Sequence, residues 1–348
     1  MAHQHMQWVL ATTESAADLE YVSASVPSDL GENQVLVEMR AASLNYRDLA
    51  IIKGSYPTTR AVPKTVPGSD GSGVVKAVGP GVSSFKVGDK VMMHLVPDAT
   101  EDSLPRFEAI SSGLGQSSDG TLRELAIFSQ GGLVRMPDNM TFEQAATLPC
   151  SGLTAWNALM GLRGRELKAG DHVLVQGTGG VSIAALQFAV AAGATVVATT
   201  GKEANRKRLE SLGASHVVNY RTEPAWGDLV RSLTPESRGF DHVIDIGGHS
   251  TLGESLKAVR LDGIISLVGL LGSGDVQVDM LRALWSLCIV RGVLLGSKAM
   301  FRDMVAFCEE KDVHPALDDV VFGLDRAREA YERLEKQQHF SKVVIKIS

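Results

Sequence analysis

Gly170-Asp171-His172-Val173-Leu174-Val175-Gln176-Gly177-Thr178-Gly179-Gly180-Val181-Ser182 is the stretch that decides the fold. Residues 173–175 read as a short buried strand, apolar and β-branched, with a charged turn before it and glycines after it. The glycines open a helix in which Val181, Ala184, Ala185, Phe188 and Ala192 recur at helical spacing. Gly193-Ala194 ends that helix, and residues 195–198 form a second apolar strand. A βαβ unit with a glycine-rich first turn lets the backbone approach a pyrophosphate, which sits on the positive N-terminus of the helix. Gly177, Thr178, Gly179, Gly180 and Val181 are the expected cofactor-binding residues of that turn. Ser182 stands where the G-x-G-x-x-G pattern has its third glycine, and is small enough for the close helix–strand contact made there. The competing reading is a glycine-rich turn in an α/β domain that binds no nucleotide.

The bulk properties narrow the class of protein. A chain of 348 residues fits two domains of ordinary size. A net charge of −6, without basic runs or a basic helix, argues against nucleic acid or an anionic membrane as partner. Cys150, Cys288 and Cys308 lie far apart without C-x-x-C spacing, which suits a reducing compartment and excludes a four-cysteine zinc site. Met1-Ala2-His3-Gln4-His5-Met6 lacks the charged and apolar regions of a signal peptide, and no apolar run reaches the ~20 residues of a membrane span. A cytoplasmic protein is expected.

Outward from the glycine turn, the two sides of the chain differ in period. Residues 1–96 carry the punctuation of an all-β module, with strands at 8–10, 19–24, 34–41, 73–78 and 90–94 separated by Pro and Gly turns. Val35, Val37 and Met39 alternate with Leu36, Glu38 and Arg40, as in a half-buried strand. A short helical segment is expected over residues 43–50. Residues 94–120 form a long polar segment, of the kind that is functional or mobile, and a strand follows to residue 128. Thr141 with Gln144 three residues later makes a capping box. Beyond the glycine turn, strands at 216–220, 240–246, 263–268 and 287–295 alternate with helices, which predicts a parallel, doubly wound sheet covered on both faces. Helices are expected over 300–310 and 325–337. A last strand, 342–347, can return to the N-terminal module.

Several stretches together resemble the medium-chain dehydrogenase/reductase superfamily. They are Asn45-x-x-Asp48, Pro67-Gly68-Ser69-Asp70-Gly71-Ser72-Gly73, Val78-Gly79-x-Gly81-Val82 with Val87-Gly88-Asp89, Asp119-Gly120-Thr121, Leu148-Pro149-Cys150-x-Gly152-Leu153-Thr154-Ala155, the glycine turn and Leu212-Gly213-Ala214. The resemblance covers nearly the whole chain. It implies an α/β protein with a GroES-like β-rich catalytic domain (1–140, completed by 300–348) and a Rossmann NADP-binding domain (141–299). Zinc-holding members bind the catalytic metal with a Cys, a His and a second Cys, and these positions correspond to Asn45, Ser69 and Cys150. One thiol with no imidazole cannot complete a three-ligand zinc set, and residues 94–120, where a structural-zinc lobe would fall, contain no cysteine. No metal is expected, and Cys150 reads as a packed residue near the cofactor. What remains resembles the zinc-free branch of quinone oxidoreductases and enoyl reductases, which adds hydride from NADPH to an electron-poor carbon.

An NAD-preferring Rossmann site carries an acid about 20 residues after the glycine turn. Here the segment is Val197-Ala198-Thr199-Thr200-Gly201-Lys202, without an acid, and Thr200, Lys202 and Arg206 are candidates for a 2′-phosphate. Arg206 is equally readable as a solvated helix charge. Tyr220 matches the family position that packs near the adenosine, and Thr154 the position at the nicotinamide ribose. For the chemistry, the resemblance points to Asn45 as a donor to the substrate carbonyl and to Tyr56, in Gly54-Ser55-Tyr56-Pro57, as a proton donor. A cleft-wall tyrosine with water as the acid is the alternative, and Asp48 reads as fixing the local turn or a nearby arginine. Three functions stay open: reduction of enones or quinones, metal-free reduction of ketones or aldehydes, and NADPH binding without catalysis. The apolar, strand-like residues 286–297 at the expected sheet edge point to a homodimer, with burial under the C-terminal helix as the competing explanation.

Overall fold

The computed structural model describes residues 3–348 except 13, 28, 57–61, 100 and 270–280. Among the described residues fifteen strands run in chain order: β1 (His3–Leu10), β2 (Leu19–Val26), β3 (Gln34–Ser43), β4 (Asp70–Val78), β5 (Lys90–Met93), β6 (Leu125–Ser129), β7 (Leu133–Arg135), β8 (His172–Gln176), β9 (Thr195–Thr200), β10 (Ala214–Asn219), β11 (Phe240–Asp245), β12 (Val259–Leu267), β13 (Ile289–Gly292), β14 (Leu317–Gly323) and β15 (Lys342–Lys346). They divide between two compact units, residues 1–153 with 295–348, and residues 154–294. These units divide at 153/154 and 294/295, beside the domain boundaries expected at 140/141 and 299/300. Residues 141–153 stay with the β-rich unit because their short helix and π-turn hydrogen-bond to it. Ser43 Oγ and Ser72 Oγ donate to the carbonyls of Ala146 and Phe142, at 2.8 and 2.7 Å.

The first unit is built around β3. In its main sheet β3 pairs antiparallel with β4, β6 and β15, while β14 adds in parallel to β15 and β5 and β7 extend beyond β4. The last strand does return to the N-terminal module, with Val344 opposite Ser43 and Ile345 opposite Ala42. The period-2 pattern of β3 is realised, since Val35, Val37 and Met39 lie fully buried in one apolar cluster with Val75, Val91 and Met93. The Thr141 capping box forms as expected, Thr141 Oγ1 accepting from Gln144 N and Gln144 Oε1 from Thr141 N at 3.2 and 3.1 Å.

Residues 94–120 are packed at their two ends, while most of the described residues between 98 and 109 are exposed. They include a helix, Phe107–Ser111, and bury Leu95, Val96, Ile110, Leu114 and Gln116. The organising group comes from elsewhere in the chain. The buried Arg47 guanidinium donates to the carbonyls of Ile110 and Leu114 and to Gln116 Oε1 at 3.0–3.3 Å.

The second unit is a six-stranded parallel sheet in the order β10-β9-β8-β11-β12-β13. Leu174, Val197, Val218, Val243 and Ile265, one from each of five strands, meet in a single apolar cluster. The helix Gly180–Ala191 packs through Ile183, Ala185, Leu186, Phe188 and Ala189, a face rotated from the one expected. It is apolar almost all round, so spacing alone does not select its buried side. The expected edge strand over 287–295 shortens to β13. Among the described residues no helix is long and apolar enough to cross a membrane.

Candidate active site

In the second unit, strand order reverses between β8 and β11, the point at which open α/β sheets bind ligands beyond the carboxyl ends of their strands. The glycine turn lies there. Gly177 takes a φ of +75°, which favours glycine, and a Cβ on Gly177 or Gly179 would meet nothing within 4 Å. The turn is thus open on the side a ligand would approach. Gly179 precedes the helix Gly180–Ala191 without a side-chain cap, so the first helical N–H groups remain available to an anion. Ser182 is buried and its hydroxyl donates to Gln176 O at 2.6 Å. The departure from glycine thereby adds a tie between helix and strand.

The neighbouring strand end is tied down by hydrogen bonds. The buried Asp245 carboxylate accepts from Gly248 N, Thr251 Oγ1 and Ser255 Oγ at 2.9, 2.6 and 2.5 Å, and Ser255 also receives Gln176 Nε2 at 2.7 Å. Beyond β9 the candidate 2′-phosphate residues divide. Thr200 is buried, and its hydroxyl accepts from Lys202 N at 3.2 Å, so it shapes the turn rather than facing a ligand. Arg206 is held by Glu203 and by the Val217 carbonyl, the latter at 2.5 Å. Lys202 is exposed, and Tyr220 is 41% exposed with its hydroxyl over Gly201. Thr178 accepts from Asn205 Nδ2 at 3.3 Å, and Thr154 is buried in the first turn of the helix Leu153–Met160.

The first unit gathers a second set of groups. Asn45 precedes the helix Tyr46–Ile52, and its backbone N–H donates to Asp48 Oδ2 at 2.8 Å. Asp48 also accepts from Ser69 Oγ and lies 3.9 Å from Arg47, so it fixes both the turn and the arginine. Ser69 in addition accepts from Arg47. The Pro67-Gly68-Ser69-Asp70 segment is pinned by the stretch around Gly120. Gly120 N donates to Val66 O at 2.7 Å and Thr121 Oγ1 to Asp70 O at 2.8 Å, and a Cβ at Gly120 would stand 2.0 Å from Gly68 O. Only glycine permits that approach.

The sequence reading missed the residue at the centre of this cluster. Lys342, first in β15 and buried, donates through Nζ to Asn45 Oδ1 and, at 3.2 Å, to Asp70 Oδ2. Ser151 Oγ donates to the same Asn45 oxygen at 3.1 Å, and Ser43 Oγ to Asp70 at 3.3 Å. Asn45 Nδ2 and Asp70 Oδ1 are buried without a hydrogen-bond partner among the described residues. Burial pushes the Asp70 carboxyl up to about 6, against the pull of Lys342 and of the Asn45 side chain. Cys150 keeps part of its surface accessible, yet the protein packed around its sulfur pushes the thiol up to about 12, with Asp70 acting in the same direction. The signal that could have exposed this cluster is Asp70 itself, since a carboxylate in a buried strand needs a cation. Its partner lies 272 residues away.

Tyr56 is half-buried against the apolar cluster that contains Leu49, Ile52 and Tyr331, with the Arg47 guanidinium 5.4 Å from its ring centre. Arg47 thus links it to Ser69 and Asp48. Pro57, part of the motif that singled out Tyr56, lies outside the described residues. Among the described residues no three His, Cys, Asp or Glu side chains are grouped to hold a metal.

Two family profiles match the chain: a zinc-binding dehydrogenase over residues 180–310 and an alcohol dehydrogenase GroES-like domain over residues 31–138. A zinc-type alcohol dehydrogenase-like protein of Schizosaccharomyces pombe is 42% identical over 326 residues, 92% of this chain and 93% of that one. A quinone oxidoreductase of Rattus norvegicus is 29% identical over 86% of this chain and 84% of its own. A solved NAD-dependent alcohol dehydrogenase superposes with a TM-score of 0.86 at 32% identity, covering 99% of this chain and 100% of that one.

Proposed function

The chain belongs to the medium-chain dehydrogenase/reductase superfamily, and from that premise we propose that it is a metal-free NADPH-dependent reductase of α,β-unsaturated carbonyls or quinones. The observation that carries this reading is the Lys342 ammonium seated against Asn45 and Asp70. The positions corresponding to the zinc ligands are an amide whose oxygen is already held by that ammonium, a serine hydroxyl held between Arg47 and Asp48, and a protonated thiol. A dication placed among them would face two fixed cations with no imidazole and no second thiol, so the residues present do not fit zinc.

The nucleotide site fits its group. Gly177 and Gly179 leave room for a pyrophosphate, Gly180 and Val181 open the helix beneath it, and Lys202 with Tyr220 would serve the adenosine side. Preference for NADPH rests on the acid-free end of β9 and the exposed Lys202. Glu203, the acid that follows, is bound to Arg206 and Asn219. When bound, the reduced nicotinamide supplies the hydride. Asn45 Nδ2 donates to the substrate oxygen on which negative charge develops. Tyr56 hydroxyl, or water in its stead, returns a proton to the substrate.

A second reading, interconversion of C=O and alcohol, is favoured by Asp70. Its unpartnered Oδ1 and a carboxyl near 6 suit proton exchange with a hydroxyl. Homodimer formation is part of the proposal. β13 ends its sheet, and beside it Trp285 is 80% exposed, with Leu281, Leu284 and Leu287 also exposed.

One set of assays tests the reading: enones, quinones, aldehydes and ketones with NADPH and NADH, on the wild type and Tyr56→Phe, with zinc measured on the same samples. Oxidation of NADPH by enones or quinones, by protein holding far less than one zinc per chain, is expected. Tyr56→Phe should lower turnover while leaving NADPH affinity unchanged, and unchanged turnover assigns the proton to water. Equal rates for saturated ketones favour the second reading. Cofactor binding with no turnover removes catalysis altogether, and stoichiometric zinc overturns the metal-free site.

A further inference from the structure

Lys342 can only donate hydrogen bonds, because an ammonium has three N–H groups and no acceptor. An asparagine amide beside it has one permitted orientation, with Oδ1 toward the ammonium. Ser151 Oγ reinforces that choice from a second direction at 3.1 Å. The amide nitrogen is thereby turned away from both; among the described residues it has no hydrogen-bond partner of good geometry, and the acceptor nearest to claiming it is the Asp70 carboxylate, which it helps to hold down. A buried donor without a well-formed hydrogen bond is costly, so the amide NH2 is a donor that a substrate oxygen can draw away from Asp70. Lys342 is in turn anchored by Asp70, whose carboxylate Ser43 steadies at 3.3 Å. Lys342 and Asn45 stand 297 residues apart in sequence and meet because β15 returns to β3.

We propose that Lys342 is the positioning residue of the metal-free site, holding the Asn45 amide so that its NH2 group is presented to the substrate oxygen. The proposal rests on the reading of Asn45 given above. It assigns to a side chain from the last strand the orienting role that a metal coordination sphere would otherwise perform. Lys342→Arg preserves a donor-only cation. Lys342→Met removes both charge and donor. Lys342→Gln keeps a polar group that can present either donor or acceptor, and so no longer dictates the amide.

The test is steady-state kinetics with 9,10-phenanthrenequinone and trans-2-hexenal as probes, alongside calorimetric binding of 2-pyrrolidone to the NADP-loaded protein. This lactam offers a carbonyl oxygen but is not a hydride acceptor. Lys342→Met should lower kcat about tenfold or more with little change in KM for NADPH. Lys342→Gln should fall between, Lys342→Arg should recover most of the rate, and pyrrolidone affinity should follow the same order. In an Asn45→Ala background the Lys342 substitutions should be nearly silent, because the group they orient is gone. Losses that multiply across that double-mutant cycle, or a Lys342→Gln protein matching wild type in both readouts, overturn the proposal, and Lys342→Gln decides if Lys342→Met does not fold. Wild type inert toward both probes but binding pyrrolidone in a Lys342- and Asn45-dependent way defeats the proposed reaction and leaves the positioning role standing.

Discussion

Asp70 is fully buried, and its carboxyl, pushed up from 3.8 to about 6 by desolvation, is held lower than burial alone would take it by Lys342. Asp48 adds a like charge that works with burial, and Asn45 works against it. Because the folded value lies above the unfolded one, the folded chain binds more protons than the unfolded chain between pH 3.8 and about 6. Stability from this group is therefore present at low pH and is lost as pH rises through that window, by ~3 kcal/mol at most. In Asp70→Asn nothing titrates at that position. The melting temperature of wild type minus that of Asp70→Asn should fall as pH is raised from 4 to 6.5 in thermal unfolding. A difference that rises instead would mean that Lys342 wins over burial and holds the carboxyl below 3.8. The sequence displays Asp70 inside a recognisable motif, but local spacing cannot show a cation supplied by the final strand. Asn45 and Tyr56 were visible as candidates because their motif is local, whereas the groups that orient them, Lys342 and Arg47, act over long separations in the chain.

At the scale of elements, the strand–turn–helix around Gly177 was readable because each of its signals is local: a β-branched run, glycines and an apolar helix. Which helix face packs was not readable, since Ile183, Leu186 and Ala189 compete with Val181, Ala184 and Ala192 on a surface with no polar side to exclude. The packing at the ends of residues 94–120 was not readable for a related reason. Their polar composition hides the fact that Arg47 binds two of their carbonyls and one of their side chains. Ser182 gives the turn its own prediction. Replacing it with Ala deletes the hydroxyl that donates to Gln176 O, leaving a buried acceptor with one donor fewer at a cost of about 1–2 kcal/mol. Ser182→Ala should lower the denaturation midpoint accordingly and weaken NADPH binding by fluorescence titration, because the helix N-terminus loses its tie to β8. Ser182→Gly, which restores the usual residue of the motif, should not recover the stability. Full stability in either variant would show that the bond contributes nothing.

For the whole molecule, period alone separates an all-β part from an alternating α/β part; the return of the last strand to the first part, open in the sequence, is realised as β15 beside β3. The boundaries at 153/154 and 294/295 were not readable, because residues 141–153 look like the approach to the nucleotide domain and attach instead through two serine hydroxyls of the β-rich unit. The proposed association rests on the second unit. Among the described residues β13 is the last strand of its sheet, and the helix Arg282–Ser286 beside it presents Leu284 and Trp285 to solvent at 59% and 80% exposure. A large aromatic left so exposed next to an open strand edge is costly in a monomer and favourable when a second copy covers it. Wild type should therefore elute as two chains by light scattering at micromolar concentration. Trp285→Glu, which would bury a carboxylate in that contact, should shift the population toward single chains. The variant should retain NADPH binding, since Trp285 is not among the residues of the glycine turn. A wild-type monomer would remove the dimer, a Trp285→Glu protein that remains dimeric would place association on another surface, and either would leave the edge of β13 to be protected by its short length, four residues.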